Sequence, residues 1–294
     1  MEIYQQLEKE YSKFVGSRFA VSCNSGTAAL HLALKAVGVG KGDEVIVPEF
    51  TMIACAYAVS YCGAKPVFVD CQNDLNIDCS LIEKKITKRT KAIMPVHVYG
   101  RLADMKEILR IAKKHGLKVV EDACEAQGAV HKSKADITCY SFYENKIIHA
   151  EEGGIATTDN KIYRDRMNYL KNMCFGDNHD YLHQEIGFNY RMPESQAKLA
   201  LNSLEDYPKE EKRRRRVEKE YDEKFIFPMQ PRDAVWVYDM FSKKRERLKS
   251  FLEMEGYEVR YFFKPMSQQP PYFNKDYKKL NAYKWSKQGL YIKL

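Results

Sequence analysis

Through the first 160 residues, short runs of β-branched and apolar side chains alternate with stretches whose apolar positions recur every three to four residues. The runs predict strands at 18–23, 44–47, 66–70, 92–97, 118–121, 137–142 and 154–157, and the longer-period stretches predict helices at 27–37, 52–61 and 104–115. Such alternation implies a largely parallel sheet covered by helices on both faces. Ligands of such sheets sit beyond the carboxyl ends of the strands, which directs attention to the residues just after each strand. From about residue 194 the pattern changes. Residues 194–204 and 209–225 read as long helices, 234–240 as a strand, 244–255 as a helix and 257–263 as extended chain. The expected architecture is α/β, with a large domain over residues 1–207 and a small α+β C-terminal domain over 208–294.

Composition adds exclusions. The chain is 45% hydrophobic and 30% charged, the proportions of an ordinary globular protein. No apolar run reaches the roughly 18 residues of a membrane span. The opening Met1-Glu2-Ile3-Tyr4-Gln5-Gln6 has no signal-peptide core. A cytoplasmic protein with no membrane partner is therefore expected. Eight cysteines occur without a CxxC pair, so they read as small buried hydrophobes rather than zinc ligands or disulfides, and no metal is expected. The net charge is +8, and part of it lies in Lys212-Arg213-Arg214-Arg215-Arg216. Glu210, Glu211, Glu218 and Glu220 flank that run, as on the solvated face of a long helix, so nucleic acid is not an expected partner. A modest positive field suits an anionic small substrate.

Four segments that follow strands could carry chemistry. Cys23-Asn24-Ser25-Gly26-Thr27-Ala28-Ala29 opens a helix with small polar residues, and free N–H groups there favour a phosphate. The hydroxyls of Ser25 and Thr27 could add hydrogen bonds, although a plain Ser or Asn cap explains the segment equally. Val119-Val120-Glu121-Asp122-Ala123-Cys124-Glu125-Ala126 puts carboxylates beyond a buried strand, where a buried Asp needs a cation, or where an Asp simply caps a helix. Ser141-Phe142-Tyr143-Glu144-Asn145-Lys146-Ile147-Ile148 carries either a surface lysine or a desolvated, nucleophilic one. Gly187-Phe188-Asn189-Tyr190-Arg191-Met192-Pro193-Glu194 is a polar-aromatic loop ahead of a helix. Together, a phosphate seat, a buried Asp and a Lys 24 residues further on match the needs of pyridoxal phosphate.

The chain resembles the sugar aminotransferases of the DegT/DnrJ/EryC1/StrS family. The likeness is carried by residues 24–34, 42–54, 63–70, 94–100, 121–126, 141–154 and 187–192, in family order. It implies a fold-type-I aminotransferase, with a mainly parallel sheet sandwiched by helices, that works as a homodimer with shared active sites. By that resemblance Lys146 carries pyridoxal 5'-phosphate as a Schiff base and Asp122 pairs with the pyridine nitrogen. Gly26, Thr27 and Ser141 hold the phosphate, joined by Asn189 from the partner subunit. Met52 falls where a side chain covers the cofactor ring, and Glu125 lies near the phenolic oxygen, a position often held by Gln or His. Related dehydratases replace the lysine with histidine, so Lys146 argues for amino transfer. Thr51-Met52-Ile53-Ala54 and Asn145-Lys146-Ile147-Ile148 look most like perosamine synthases, which implies glutamate as amino donor and a nucleotide-linked 4-keto-6-deoxy sugar as acceptor.

The chain departs from the family in four places. Relatives carry further residues before Met1–Ser17 and after Leu294, and the loop 129–136 is shortened. Ser267 stands where a His is frequent. These differences bear on substrate binding and the small domain more than on the cofactor seat. They leave a second expectation open, a non-catalytic relative that binds cofactor or sugar nucleotide as a scaffold or sensor.

Overall fold

A computed structural model describes residues 2–175, 181–225, 229 and 231–294. In chain order the elements are α1 (Ile3–Val15), β1 (Phe19–Cys23), α2 (Gly26–Ala36), β2 (Glu44–Pro48), α3 (Ala54–Tyr61), β3 (Lys65–Val69), α4 (Cys79–Ile82), β4 (Thr90–Ile93), α5 (Met105–His115), β5 (Lys118–Asp122), β6 (Ile137–Ser141), β7 (Gly154–Thr158), α6 (Lys161–Lys171), α7 (Glu194–Lys224), β8 (Val237–Phe241), α8 (Arg245–Met254), β9 (Val259–Tyr261), α9 (Asn281–Gln288) and β10 (Gly289–Lys293). Short 3₁₀ turns link several of them.

Strands β1 to β7 form one sheet in the order β1-β7-β6-β5-β4-β2-β3. Strands β3, β2, β4, β5 and β6 run parallel, while β7 lies antiparallel to both β6 and β1. The fold is thus the expected mostly parallel α/β sheet. Every residue of β2, β6 and β7 is buried, which is why their sequences read as continuous apolar or small runs rather than alternating ones. Helix α2 is buried along Ala28–Leu34 and packs on the sheet. Helix α5 shows the signals that placed it in the sequence: the Asp104 side chain accepts the Glu107 N–H, and Gly116 closes the helix at a φ of 66°. Its Ile108 and Ile111 join Ile46, Val69, Ile93 and Val119 in a second apolar cluster. Each such fully buried side chain contributes about 1.5–3 kcal/mol.

The C-terminal part forms a three-stranded antiparallel sheet, β8-β10-β9, packed on α8 through Tyr238, Met240, Leu252, Val259, Leu290 and Ile292. Helix α1, α6, α9 and strand β10 were not anticipated from the sequence. The two helices expected over 194–204 and 209–225 are one. Helix α7 continues through Pro208, whose missing N–H and bulky ring ordinarily end a helix. Packing on both sides of the proline explains the continuity. Tyr207 stacks edge-on against Phe14 at 4.9 Å, and Arg214, one turn and a half beyond Pro208, is buried. All eight cysteines carry free thiols, as expected.

Candidate active site

The carboxyl ends of the central strands open onto a cavity of about 440 Å³, within the size range of small-molecule sites. Ser25, Gly26, Thr27, Met52, Asp122, Glu125, Ser141 and Lys146 all line it. Eight of the nine residues singled out in the sequence therefore meet in one place. Asn189 does not line this cavity; it pairs with Asn172 outside it, in the loop ahead of α7.

One wall is the N-terminus of α2. The Ser25 hydroxyl accepts the Ala28 N–H at 3.1 Å, so the capping explanation of this segment is correct for Ser25. The N–H groups of Gly26 and Thr27 have no acceptor among the described residues and point a partial positive charge into the cavity. A Cβ on Gly26 would lie 2.8 Å from Cβ of Ser141, so only glycine lets the helix approach the end of β6 this closely. The Ser141 hydroxyl accepts the Tyr143 N–H, which orients it at the same corner.

The floor is the end of β5, where alternation splits the acidic pair. Glu121 faces away from the cavity. His97 donates from Nε2 to its carboxylate at 2.9 Å, because Nδ1 accepts the Ala103 N–H, and Ser133 and Thr138 donate to its other oxygen. Burial acts to raise this carboxyl, but those hydrogen bonds outweigh it and hold it below the usual range. Asp122 faces the cavity. Its Oδ1 accepts the Cys124 N–H at 3.0 Å and its Oδ2 accepts the Cys55 thiol at 3.1 Å. Burial, and then the Asp122 charge, push the Cys55 thiol well above its usual value, so it stays a donor. Among the described residues no cationic side chain pairs with Asp122, although the residue is only 5% exposed.

Lys146 is 9% exposed, so it is not surface decoration. Its amine has no carboxylate within ion-pairing distance among the described residues. It lies instead 3.8 Å from the centre of the Trp236 ring. Glu125 is buried and accepts the Tyr99 N–H at 2.8 Å. Desolvation raises its carboxyl to about 7, against an opposing pull from Lys146. Met52, 50% exposed, stands at the mouth.

A buried carboxylate without a cation, a buried amine without an anion and a helix N-terminus with free N–H groups face one cavity. Those are complementary to a pyridinium nitrogen, an aldehyde carbon and a phosphate, so the residues present fit pyridoxal phosphate. The sequence pattern that defines the DegT/DnrJ/EryC1/StrS aminotransferase family matches residues 2–294. The chain belongs to that family. Aminotransferases of the DegT/DnrJ/EryC1/StrS family depend on pyridoxal phosphate, the cofactor expected from the sequence. A GDP-perosamine synthase of Caulobacter vibrioides is 41% identical over 290 residues, covering 91% of this chain and 78% of that protein. The GDP-perosamine synthase of Escherichia coli O157:H7 is 38% identical over 287 residues, covering 92% and 79%. Among solved structures, DesV of S. venezuelae in complex with a ketimine intermediate superposes with a TM-score of 0.92 at 32% identity, covering all of this chain and 84% of that one.

Sequence reasoning missed several cavity residues. Trp236, Phe263 and Tyr291 enter from the C-terminal part, and Thr51, Cys124 and Asn145 from segments that had been examined for other residues. Three of the four aromatic lining residues come from far along the chain, where no local motif marks them. Loop 97–101 is what brings that part close. Gly100 has a φ of 81° and its carbonyl accepts the N–H groups of Asp233 and Ala234; a Cβ there would lie 1.9 Å from the Ala234 carbonyl oxygen.

Proposed function

We propose that this chain transfers an amino group from glutamate to a nucleotide-linked 4-keto-6-deoxy sugar, as a perosamine synthase does, and so contributes to the supply of amino sugars for surface polysaccharide. The observation that carries the reading is the buried Lys146 facing the uncompensated carboxylate of Asp122 across a cavity that a helix N-terminus closes. The similarity to GDP-perosamine synthases supports the choice of acceptor.

In this reading Lys146 holds the cofactor covalently. When bound, pyridoxal phosphate supplies a carbonyl that takes up the amino group and a ring that withdraws electrons from the reacting carbon. Asp122 keeps a proton on the ring nitrogen, and its hydrogen bonds from Cys124 N–H and Cys55 hold its orientation. The N–H groups of Gly26 and Thr27, with the hydroxyls of Ser25, Thr27 and Ser141, bind the phosphate. Met52 covers the ring from the mouth. Glu125, whose carboxyl desolvation raises to about 7, would accept or return a proton at the phenolic oxygen. With the cofactor bound, the amine of Lys146 would serve as general base and acid for the proton at the reacting carbon.

Asn189, which lies outside its own cavity, reaches the phosphate of a partner subunit, so the working form is a homodimer with shared sites. Exposed Met52, Tyr61, Leu182 and Ile186 supply apolar surface for that contact. We assign the large unit to residues 1–207, which hold the seven-stranded sheet, and the small one to 208–294, which hold the three-stranded sheet. The protein works in the cytoplasm, where eight free thiols and a nucleotide-activated substrate both belong. Among the described residues no helix is long and apolar enough to cross a membrane.

Addition of pyridoxal phosphate is expected to give the visible absorption band of lysine-held cofactor, and addition of glutamate to convert it to the band of the aminated cofactor. A band that ignores glutamate would refute amino transfer. Lys146→Ala is expected to lose the band and keep the fold; a retained band would refute the role of Lys146.

A further inference from the structure

Trp236 is 4% exposed and makes two contacts with one short segment. Its Nε1–H donates to the carbonyl of Asn145 at 2.9 Å, and its ring face lies 3.8 Å from the amine of the next residue, Lys146. The indole therefore grips both the backbone before the lysine and the far end of its side chain. A cation over an indole face is attracted by the ring quadrupole. Such an attraction counts for most in a site that water does not reach, where an amine without a partner is costly.

The ring is itself held. Arg214, 5% exposed, donates from Nη1 to the Trp236 carbonyl at 2.7 Å and to the Val235 carbonyl at 3.3 Å, while Glu210 anchors its Nε at 2.7 Å. Arg215 donates to the carbonyls of Arg232 and Asp233. The Gly100 carbonyl takes the N–H groups of Asp233 and Ala234 from the other side. Tyr99 and Tyr291 flank the indole, with ring centres 6.0 and 6.2 Å away. Residues 232–236 are thus clamped between α7 and loop 97–101, and Trp236 projects from the clamp into the cavity.

We propose that Trp236 is a positioning residue for Lys146, receiving the lysine amine on its ring face whenever that amine is not bonded to the cofactor. The proposal rests on the aminotransferase reading above. In a transaminase the lysine is released in one half of the cycle and must be recovered in the other. A parked amine stays in the cavity, near the reacting carbon, rather than turning to solvent.

Two measurements on the cofactor-free chain test it. The chain has two tryptophans, and Trp236 is the one that meets Lys146. Lys146→Met is therefore expected to change the intrinsic tryptophan emission, and an unchanged spectrum would overturn the proposal even if no Trp236 variant folds. Second, the rate at which an amine-selective acylating reagent labels Lys146, followed by peptide mass spectrometry, is expected to rise about tenfold in Trp236→Leu and less than threefold in Trp236→Phe, which keeps an aromatic face. A rise below twofold in Trp236→Leu, or an equal rise in both, would overturn it. In the loaded enzyme Trp236→Leu is expected to lower kcat with little change in KM for glutamate, and Trp236→Phe to recover most of the loss. A response of the visible band to glutamate in the unaltered protein reports on the aminotransferase reading alone, so failure of one is distinguishable from failure of the other.

Discussion

Replacing Asp122 with Asn should separate the stability of this chain from its catalysis. The carboxylate is 5% exposed, accepts two hydrogen bonds and has no cationic side chain beside it among the described residues. Hydrogen bonds to a charged group contribute about 1.5–3 kcal/mol each. Taking a carboxylate out of water costs several kcal/mol. In the cofactor-free chain the two therefore nearly cancel. Asn keeps a carbonyl for the Cys124 N–H and removes the charge. The unfolding free energy of cofactor-free Asp122→Asn should then lie within about 1 kcal/mol of the unaltered protein, or above it. Catalysis should behave oppositely. Preorganised electrostatic contacts of this kind supply about 3–4 kcal/mol to a transition state, so kcat should fall roughly 10²–10³-fold. Urea unfolding without cofactor and steady-state rates at saturating cofactor measure the two quantities. A loss of more than about 2 kcal/mol in the cofactor-free variant, or a kcat within tenfold of the original, would refute the argument that this carboxylate is held ready for a cation that the cofactor brings.

Three further outcomes follow from local geometry. Gly26→Ala introduces a methyl group 2.8 Å from Cβ of Ser141; it should cost about 1–3 kcal/mol of stability and weaken pyridoxal phosphate binding at least tenfold in a spectroscopic titration. Asp239, fully buried, pairs with Arg101 at 2.9 Å and Arg232 at 2.7 Å; Asp239→Asn removes the charge that these two buried guanidinium groups share, although Arg232 keeps Glu218 at 3.1 Å, and should cost about 3 kcal/mol in chemical denaturation. Glu49 is buried against Ser267, and desolvation raises its carboxyl from 4.5 to about 7 despite hydrogen bonds from the Ser267 N–H and hydroxyl. A raised folded value means that the folded chain keeps a proton that the unfolded chain releases, so this group's contribution falls as pH rises from about 4.5 through 7. Glu49→Gln has no such loss, and its unfolding free energy relative to the unaltered protein should improve by about 3 kcal/mol between pH 4 and pH 8; a difference that does not change with pH would show that Glu49 titrates alike in the folded and unfolded chain.

Much of the large unit was legible because its signals are local. The strands β2, β5, β6 and β7 are buried on both faces and announce themselves as apolar runs, and α5 carries both of its caps in sequence. Asp122 and Lys146, which line one cavity, stand out in the sequence because parallel sheets bind at their carboxyl ends, which reduces the search to the few residues after each strand. What was not legible depends on contacts across the chain. Helix α1 buries only Leu7, Tyr11 and Val15, too sparse a stripe to stand out in a polar segment. Trp236 meets Lys146 across ninety residues of sequence, and Tyr291 reaches the same cavity from the last strand. No periodicity encodes such distances.

The basic run at 212–216 is the instructive case, because its composition and its spacing point in different directions. Acidic neighbours made it read as a solvated face, and for most of the run that is correct: Arg213 pairs with Glu210 and Arg216 with Glu220 at the surface. Helical spacing says something else about Arg214. The inward face of α7 passes through Ala197, Ala200, Leu201, Leu204 and Tyr207, and steps of three and four residues carry that stripe on to 211 and 214. A charged residue on an inward stripe has to find acceptors there. Arg214 finds the carbonyls of Val235 and Trp236, and by holding them it fixes the indole against the lysine. An arginine that looked like one of five surface charges thus connects the long helix to the cavity that Trp236 and Lys146 line. The signal was present in the sequence as a conflict between residue type and helical phase, and such a conflict marks a residue with a specific partner better than charge content does.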